Sequence, residues 1–257
     1  MTLEDMLAYC ASEVLDDRTE LVEGDNDDLW SDAFLCRQFN EASRILARRA
    51  WAIVEYGVAP AGIITLRTGV SLYHLHPSVL RVFDSTPANQ TAVLGRTEDA
   101  QLRDTSLGTP YPGDVFNAVE YGMAASLAGG FATLSGAPFA IASDAGSRTV
   151  RVFPPPTSAQ NGLRVAMKVA RLPINELTLD DVEAEPEVPA EFHLQLCEFA
   201  AGKALTLPNV DADQKVEGRR LLTAFDEVVR QARQERQRAE ASTYRWGFSS
   251  ATATLGR

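Results

Sequence analysis

The stretch Arg148–Arg171 reads RTVRVFPPPTSAQNGLRVAMKVAR, two alternating runs kept apart by three consecutive prolines. In Thr149–Phe153, Val150 and Val152 face one way and Arg151 and Phe153 the other. From Leu163 to Leu172 the apolar set Leu163, Val165, Met167 and Val169 again alternates with charge. Period-two alternation marks strands with one wet face, so the spacing predicts an antiparallel pair. Pro154, Pro155 and Pro156 lack amide hydrogens and have fixed φ, so a ladder must stop there. Ser158–Gly162 then supplies turn residues for the return. The middle of the chain is therefore β-rich.

More short strands precede this hairpin. Gly62–Leu66, Val70–Leu75 and Val79–Phe83 are rich in Val, Ile, Leu and aromatics and are separated by Gly, Pro and Asn, with a weaker strand around Thr91–Gly95. Phe139–Ala142 and Thr149–Phe153 read as a hairpin about Asp144-Ala145-Gly146, with the Leu163 run as its next neighbour.

The ends follow a different period. Thr2 and Asp5 form a helix-start box, and Leu3, Met6, Leu7, Cys10 and Val14 share one helical face, which predicts a first helix of about three turns. Ser31 caps a second helix carrying Phe34, Leu35, Phe39, Ala42, Ile45 and Leu46, with Arg44, Arg48 and Arg49 toward its C-terminus, where cations suit the helix dipole. Pro189 opens a third helix (Phe192, Leu196, Phe199, Ala200, Ala204, Leu205) that Leu207-Pro208-Asn209 breaks. Asp211 caps the last, whose stripe is Val216, Leu221, Leu222, Phe225, Val228, Val229 and Ala232. Run to Ala241, that helix is about 45 Å long. Past Ala232 the stripe gives way to RQERQRAEAS, so the last third projects beyond the core or lies against another chain.

The fold class expected is α+β: a helical bundle built from N- and C-terminal helices, with an inserted antiparallel β-rich unit and an extended C-terminal tail. The expected divisions are 1–50, N-terminal helical part of the bundle; 51–175, β-rich insertion; 176–241, C-terminal helical part; and 242–257, extended tail.

A formal net charge of -11 argues against a general nucleic-acid binder, because phosphate affinity comes mainly from Lys and Arg. Cys10, Cys36 and Cys197 are odd in number and far apart among apolar neighbours, which reads as buried free thiols. MTLEDMLAYC has no basic n-region and no apolar core after it, so no secretory signal is expected. Tyr121–Ser143 lacks charge over about the length of a membrane span, but its Ala, Gly and Ser content, with Gly129-Gly130 and Pro138 inside it, favours a packed connection and no membrane role.

No nucleophile elbow, phosphate loop, dinucleotide fingerprint or His-Glu-x-x-His is present. His74-Leu75-His76 would set two imidazoles on one strand face, half a metal site, but His193 is remote and nothing is spaced to finish the shell. The expectation is no enzyme, no cofactor and no metal.

Surfaces carry more information. Asp16, Asp17, Glu20, Glu23, Asp25, Asp27 and Asp28 crowd one segment against the single base Arg18. Arg230, Arg233, Arg236 and Arg238 make the last helix locally basic, and Asp226 and Arg230 are spaced to pair at i,i+4. These arginines are either a solvated face or a surface for the acidic segment of a neighbouring copy; unlike patches meeting head to tail close rings. In the tail, Tyr244, Trp246 and Phe248 alternate around Arg245. Such aromatics either anchor on a partner by strand addition or fold back on their own bundle.

WSDAFLCRQFNEASRILARRA, with its Trp-Ser-Asp start, resembles the second helix of bacteriophage head-to-tail adaptor (connector) proteins. RTVRVFPPP is similar to their strand ending in Pro-x-Pro, EPEVPAEFHLQLCEFAAGKAL to their acidic, proline-led third helix, and DADQKVEGRRLLTAFDEVVRQARQERQR to their closing helix. The resemblance implies a virion structural protein made in the host cytoplasm. It implies self-association, typically as a twelve-membered ring beneath the portal protein. It also implies extension of the DNA channel and attachment of a tail tube, nozzle or fibre protein. Genomic DNA would pass without sequence-specific binding, since an acidic lining repels phosphate. Two other classes remain open at the level of sequence: an enzyme with an unrecognised site at His74, His76 or the acidic segments, and a nucleic-acid-binding or regulatory protein using the Arg-rich last helix.

Overall fold

The computed structural model of the chain describes residues 1–15, 30–86, 91–92, 117–120, 140–144, 148–153, 155–208 and 210–245. The acidic segment 16–28, most of the uncharged segment 121–143, the turn 145–147 and the tail from Trp246 lie outside the described residues. The fold is α+β, with helices at both ends of the chain and small, mostly antiparallel sheets between them. Contacts gather it into two compact units, one of Met1–Ile53 with Leu172–Arg236, the other built around Val54–Arg171.

In the first unit the helix starts stand where their capping residues put them. Helix α1 (Leu3–Tyr9) opens on the reciprocal Thr2/Asp5 capping box and passes into a π-turn at Cys10–Val14. Those backbone and side-chain hydrogen bonds from Thr2 hold the Asp5 carboxyl below its usual value. Helix α2 (Asp32–Ala50) begins at Ser31, whose hydroxyl accepts the Phe34 amide, and ends with Trp51 in the left-handed region at φ 54°. A single 3-10 turn after Pro189 leads into α3 (His193–Leu205), and α4 (Ala212–Arg245) follows Asp211. At 34 residues α4 is about 51 Å long. It includes Ser242–Arg245, which the tail pattern had placed in an extended segment.

Phe39, Leu46, Leu3, Met6, Leu196 and Phe225 are fully buried in this unit's core. Cys10, Cys36 and Cys197 are buried free thiols. Hydrogen bonding with the Cys197 thiol, then burial, pushes the Cys10 thiol well above its ordinary range, so it stays protonated. His193 is also buried: Nε2 donates to the Val188 carbonyl at 3.0 Å, and Nδ1 accepts from the Met1 amine at 3.0 Å. Asn40 acts as a short length of strand. Its Nδ2 donates to the Leu177 carbonyl and its Oδ1 accepts the Leu177 amide, both at 2.9 Å, which ties the segment before α3 to the middle of α2.

Helices α3 and α4 cross at two glycines. A Cβ on Gly218 would lie 2.9 Å from the Gly202 carbonyl oxygen and 2.9 Å from Leu205 Cβ; one on Gly202 would lie 3.0 Å from the Gly218 carbonyl oxygen. The two backbones touch, and Phe199 and Phe225 meet beside them with ring centroids 4.7 Å apart.

In the second unit β1 (Val54–Tyr56), β11 (Lys168–Arg171) and β4 (Val79–Val82) form one sheet, and β10 (Arg164–Ala166) pairs with β2 (Ile63–Thr65). A third sheet has the order β3-β9-β8-β7: Leu72–His74, Thr149–Phe153, Ala140–Asp144 and Asn117–Glu120. Strands β5 (Asp84–Thr86) and β6 (Thr91–Ala92) form a two-stranded ribbon. The predicted β8–β9 hairpin forms, with Asp144 opposite Thr149. The predicted pairing across the prolines does not. Strand β9 has β3 on one edge and β8 on the other, so no edge is left for the Leu163 run. That run is itself divided at Met167, whose amide donates to the Gly62 carbonyl, and its halves join two different sheets. Strand β7 runs parallel to β8, a departure from the antiparallel expectation. Nineteen residues separate the two strands, which permits the crossover that a parallel pair requires.

Val150, Val152, Val165, Met167, Val169 and Tyr73 fill the second core, and the Tyr73 hydroxyl donates to the Val70 carbonyl at 2.8 Å. On the β1–β11–β4 sheet Glu55 Oε2 meets Arg171 Nε at 2.8 Å, with the two side chains only 12% and 11% exposed.

Two stability outcomes are expected. Gly218→Ala gains about 1 kcal/mol of helix propensity but forces two backbones apart, for a net loss of about 1–3 kcal/mol in urea denaturation. An unchanged midpoint would mean that the crossing is slack. Glu55→Ala leaves the Arg171 charge nearly buried and lowers stability by about 3 kcal/mol, while adding Arg171→Leu restores most of it; equal losses in single and double variants would show that the pair does not act as a unit.

Candidate functional site

The sequence-predicted arginines lie along α4 but differ in their surroundings. Arg230 is exposed and grips Glu227 with both Nε (2.9 Å) and Nη2 (2.6 Å). That hydrogen bonding, with a further one from Gln231, holds the Glu227 carboxyl below the usual range. The expected Asp226–Arg230 pair is absent because Asp226 accepts instead from Arg49 of α2, at 2.7 Å. Arg233 is half-buried with its guanidinium over the Trp51 ring. Arg236 is half-buried and Arg238 exposed. Tyr244 and Arg245 fall on the last turn of α4; Trp246 and Phe248 lie outside the described residues, as do Asp16, Asp17, Glu20, Glu23, Asp25, Asp27 and Asp28.

His74 ends strand β3 and is exposed, whereas His76 has left the strand and its Nδ1 lies 2.8 Å from the Ser78 hydroxyl. The strand is too short to carry both imidazoles on one face. Among the described residues no group of His, Cys, Asp and Glu is arranged to hold a metal ion, and no helix is long and apolar enough to cross a membrane.

The feature that sequence spacing missed is a groove of about 530 Å³ where α2, α3 and α4 meet. Its floor is apolar, made by Ile45, Phe199, Leu222 and Phe225. Its walls are charged: Arg44, Arg48 and Arg49 from α2, Lys203 from α3, Glu41 and Asp226. A second hollow of about 460 Å³ continues along α2 past Phe34, Arg37 and Gln38 to Glu176, sharing Glu41 and Arg44 with the first. Arg44 pairs with Glu176, Arg49 with Asp226 and Lys203 with Glu41, all exposed. Exposed pairs of this kind contribute about 0–1 kcal/mol each, so their partners exchange readily. Arg48 makes no hydrogen bond or ion pair among the described residues. From the sequence, three of these arginines read only as complements to the α2 dipole; the signal that marked them as more was spacing, with Arg44 two helical turns after Arg37 and Arg48 one turn after Arg44.

A charged-walled, apolar-floored groove on a helical bundle suits an assembly protein. The sequence model of the SU10 adaptor protein family matches residues 1–247. The chain belongs to that family, a phage head-to-tail adaptor family, and is thus a structural adaptor and virion component. Comparison with curated proteins finds no match.

Within the groove, Asp226→Ala is expected to free Arg49 with a stability change of no more than about 1 kcal/mol in denaturant unfolding. A larger loss would make the pair part of the core's support.

Proposed function

We propose that the chain assembles with its own copies into a ring beneath the portal protein, extends the DNA channel and presents a surface for tail tube, nozzle or fibre components. The observation that carries this reading is the family match over nearly the whole chain. The physical chemistry agrees with it. A net charge of -11 disfavours adhesion to phosphate, so DNA slides past such a subunit without being held. Twelve copies is the ring size carried over from the resemblance. In this reading the acidic segment Asp16–Asp28 faces the channel or a neighbouring subunit. The C-terminal stretch with Tyr244, Arg245, Trp246 and Phe248 docks on the portal, with Arg230, Arg233, Arg236 and Arg238 alongside. The polypeptide works through surfaces and turns over no substrate.

Removing Trp246–Arg257 leaves α4 whole and tests the docking end. The truncated protein is expected to keep its helical circular dichroism and lose co-sedimentation with portal protein by about a hundredfold in affinity, the scale of losing a buried aromatic anchor or two. Undiminished portal binding would move the docking surface elsewhere. The full chain is also expected to show no measurable duplex DNA binding at physiological salt; tight binding that falls steeply with added salt would favour the nucleic-acid reading instead.

A further inference from the structure

The groove at the junction of α2, α3 and α4 is positive on a negative molecule. Its two connected hollows are lined by five cations, Arg37, Arg44, Arg48, Arg49 and Lys203, against three carboxylates, Glu41, Glu176 and Asp226. That is an excess of two positive charges on a chain of net charge -11. The same chain carries one segment of opposite character: residues 16–28 hold seven carboxylates and a single Arg18, with Leu21 and Val22 among them. Apolar side chains flanked by carboxylates match an apolar floor flanked by guanidinium groups.

We propose that this groove is the docking site for the acidic Asp16–Asp28 segment of a second copy of the chain. The proposal rests on the self-association read above and names the surfaces that make it. The α4 arginines are a poorer receptor, since Arg230 is held bidentately by Glu227 and Arg233 stacks on Trp51, whereas Arg48 has no partner among the described residues. Chain geometry keeps the end of the segment next to Trp30 away from Arg48 of its own copy. Trp30 is buried in the core, so Asp27 and Asp28, three and two residues before it, stay within about 10 Å of it at full extension. Arg48 stands 18 residues further along the chain, about 26 Å down the axis of α2. Even a fully extended arginine does not span the difference. An unlike surface pair of this kind repeats head to tail from copy to copy, the arrangement that closes a ring.

The test uses the full chain and a labelled synthetic peptide of residues 15–30. By fluorescence anisotropy at low salt the peptide is expected to bind the full chain, with affinity falling about tenfold in Arg48→Glu and about a hundredfold in Arg44→Glu with Arg48→Glu, and weakening as salt rises. A peptide that fails to bind, or binds all variants equally, overturns the proposal; so does duplex DNA competing for the groove while the peptide does not. Sedimentation then separates this inference from the ring itself. The Arg44→Glu/Arg48→Glu protein and a protein with Asp25→Lys, Asp27→Lys and Asp28→Lys should each fail to self-associate, and their mixture should recover association. If both variants assemble like the wild type, the ring stands and the groove is not its contact. If association returns only when all five changes share one chain, the segment fills its own groove and the proposal falls. If the wild type stays monomeric at every concentration and with portal protein present, the ring reading fails together with it.

Discussion

The first unit depends on a contact made by the absence of two side chains. Gly202 and Gly218 let α3 and α4 approach until each glycine's missing Cβ position lies about 3 Å from the other's carbonyl oxygen. At that separation Leu222 packs over Gly202, and the Phe199 and Phe225 rings meet at a tilt of 51°. Those same three side chains are most of the groove's floor. A methyl group at the crossing would therefore disturb the groove's shape as well as the core, because dense interiors pass displacement on to their neighbours. Stability and the shape of the groove share one cause.

Charge is arranged on this scaffold with little consequence for folding. The ion pairs across the groove are exposed on both sides, and such pairs hold a fold weakly. In the proposed contact they would act in recognition, where complementary potentials set register and reject wrong partners. The Glu55–Arg171 pair is the opposite case. It is nearly buried on a sheet, so each charge needs the other.

Much of the fold was legible because its signals are local. Thr2, Ser31 and Asp211 each stand one residue before a helix, since a cap satisfies backbone donors within three residues of itself. The β8–β9 hairpin was legible for the same reason, with its turn lying between its strands. The partner of the Leu163 run was not. Alternation states that a strand has two faces but says nothing about which edge is already taken, and β9's edges were taken by β3 and β8. The candidate site divides the same way. The α4 arginines were visible as a run, yet Arg233's stacking on Trp51 and Asp226's choice of Arg49 over Arg230 depend on α2, nearly two hundred residues earlier in the chain.

From the order of residues alone came the helix starts, the β-rich middle, the acidic balance and the likeness to phage adaptors, all properties of short windows or of simple counts. Folding settled what those windows lack: which strand lies beside which, and that Lys203, Asp226 and the arginines of α2 surround one groove. Helix α2 is separated from α3 and α4 by the whole β-rich middle of the chain. The meeting of α3 and α4 turns on backbone contact at two glycines, a constraint with no period and no motif to announce it.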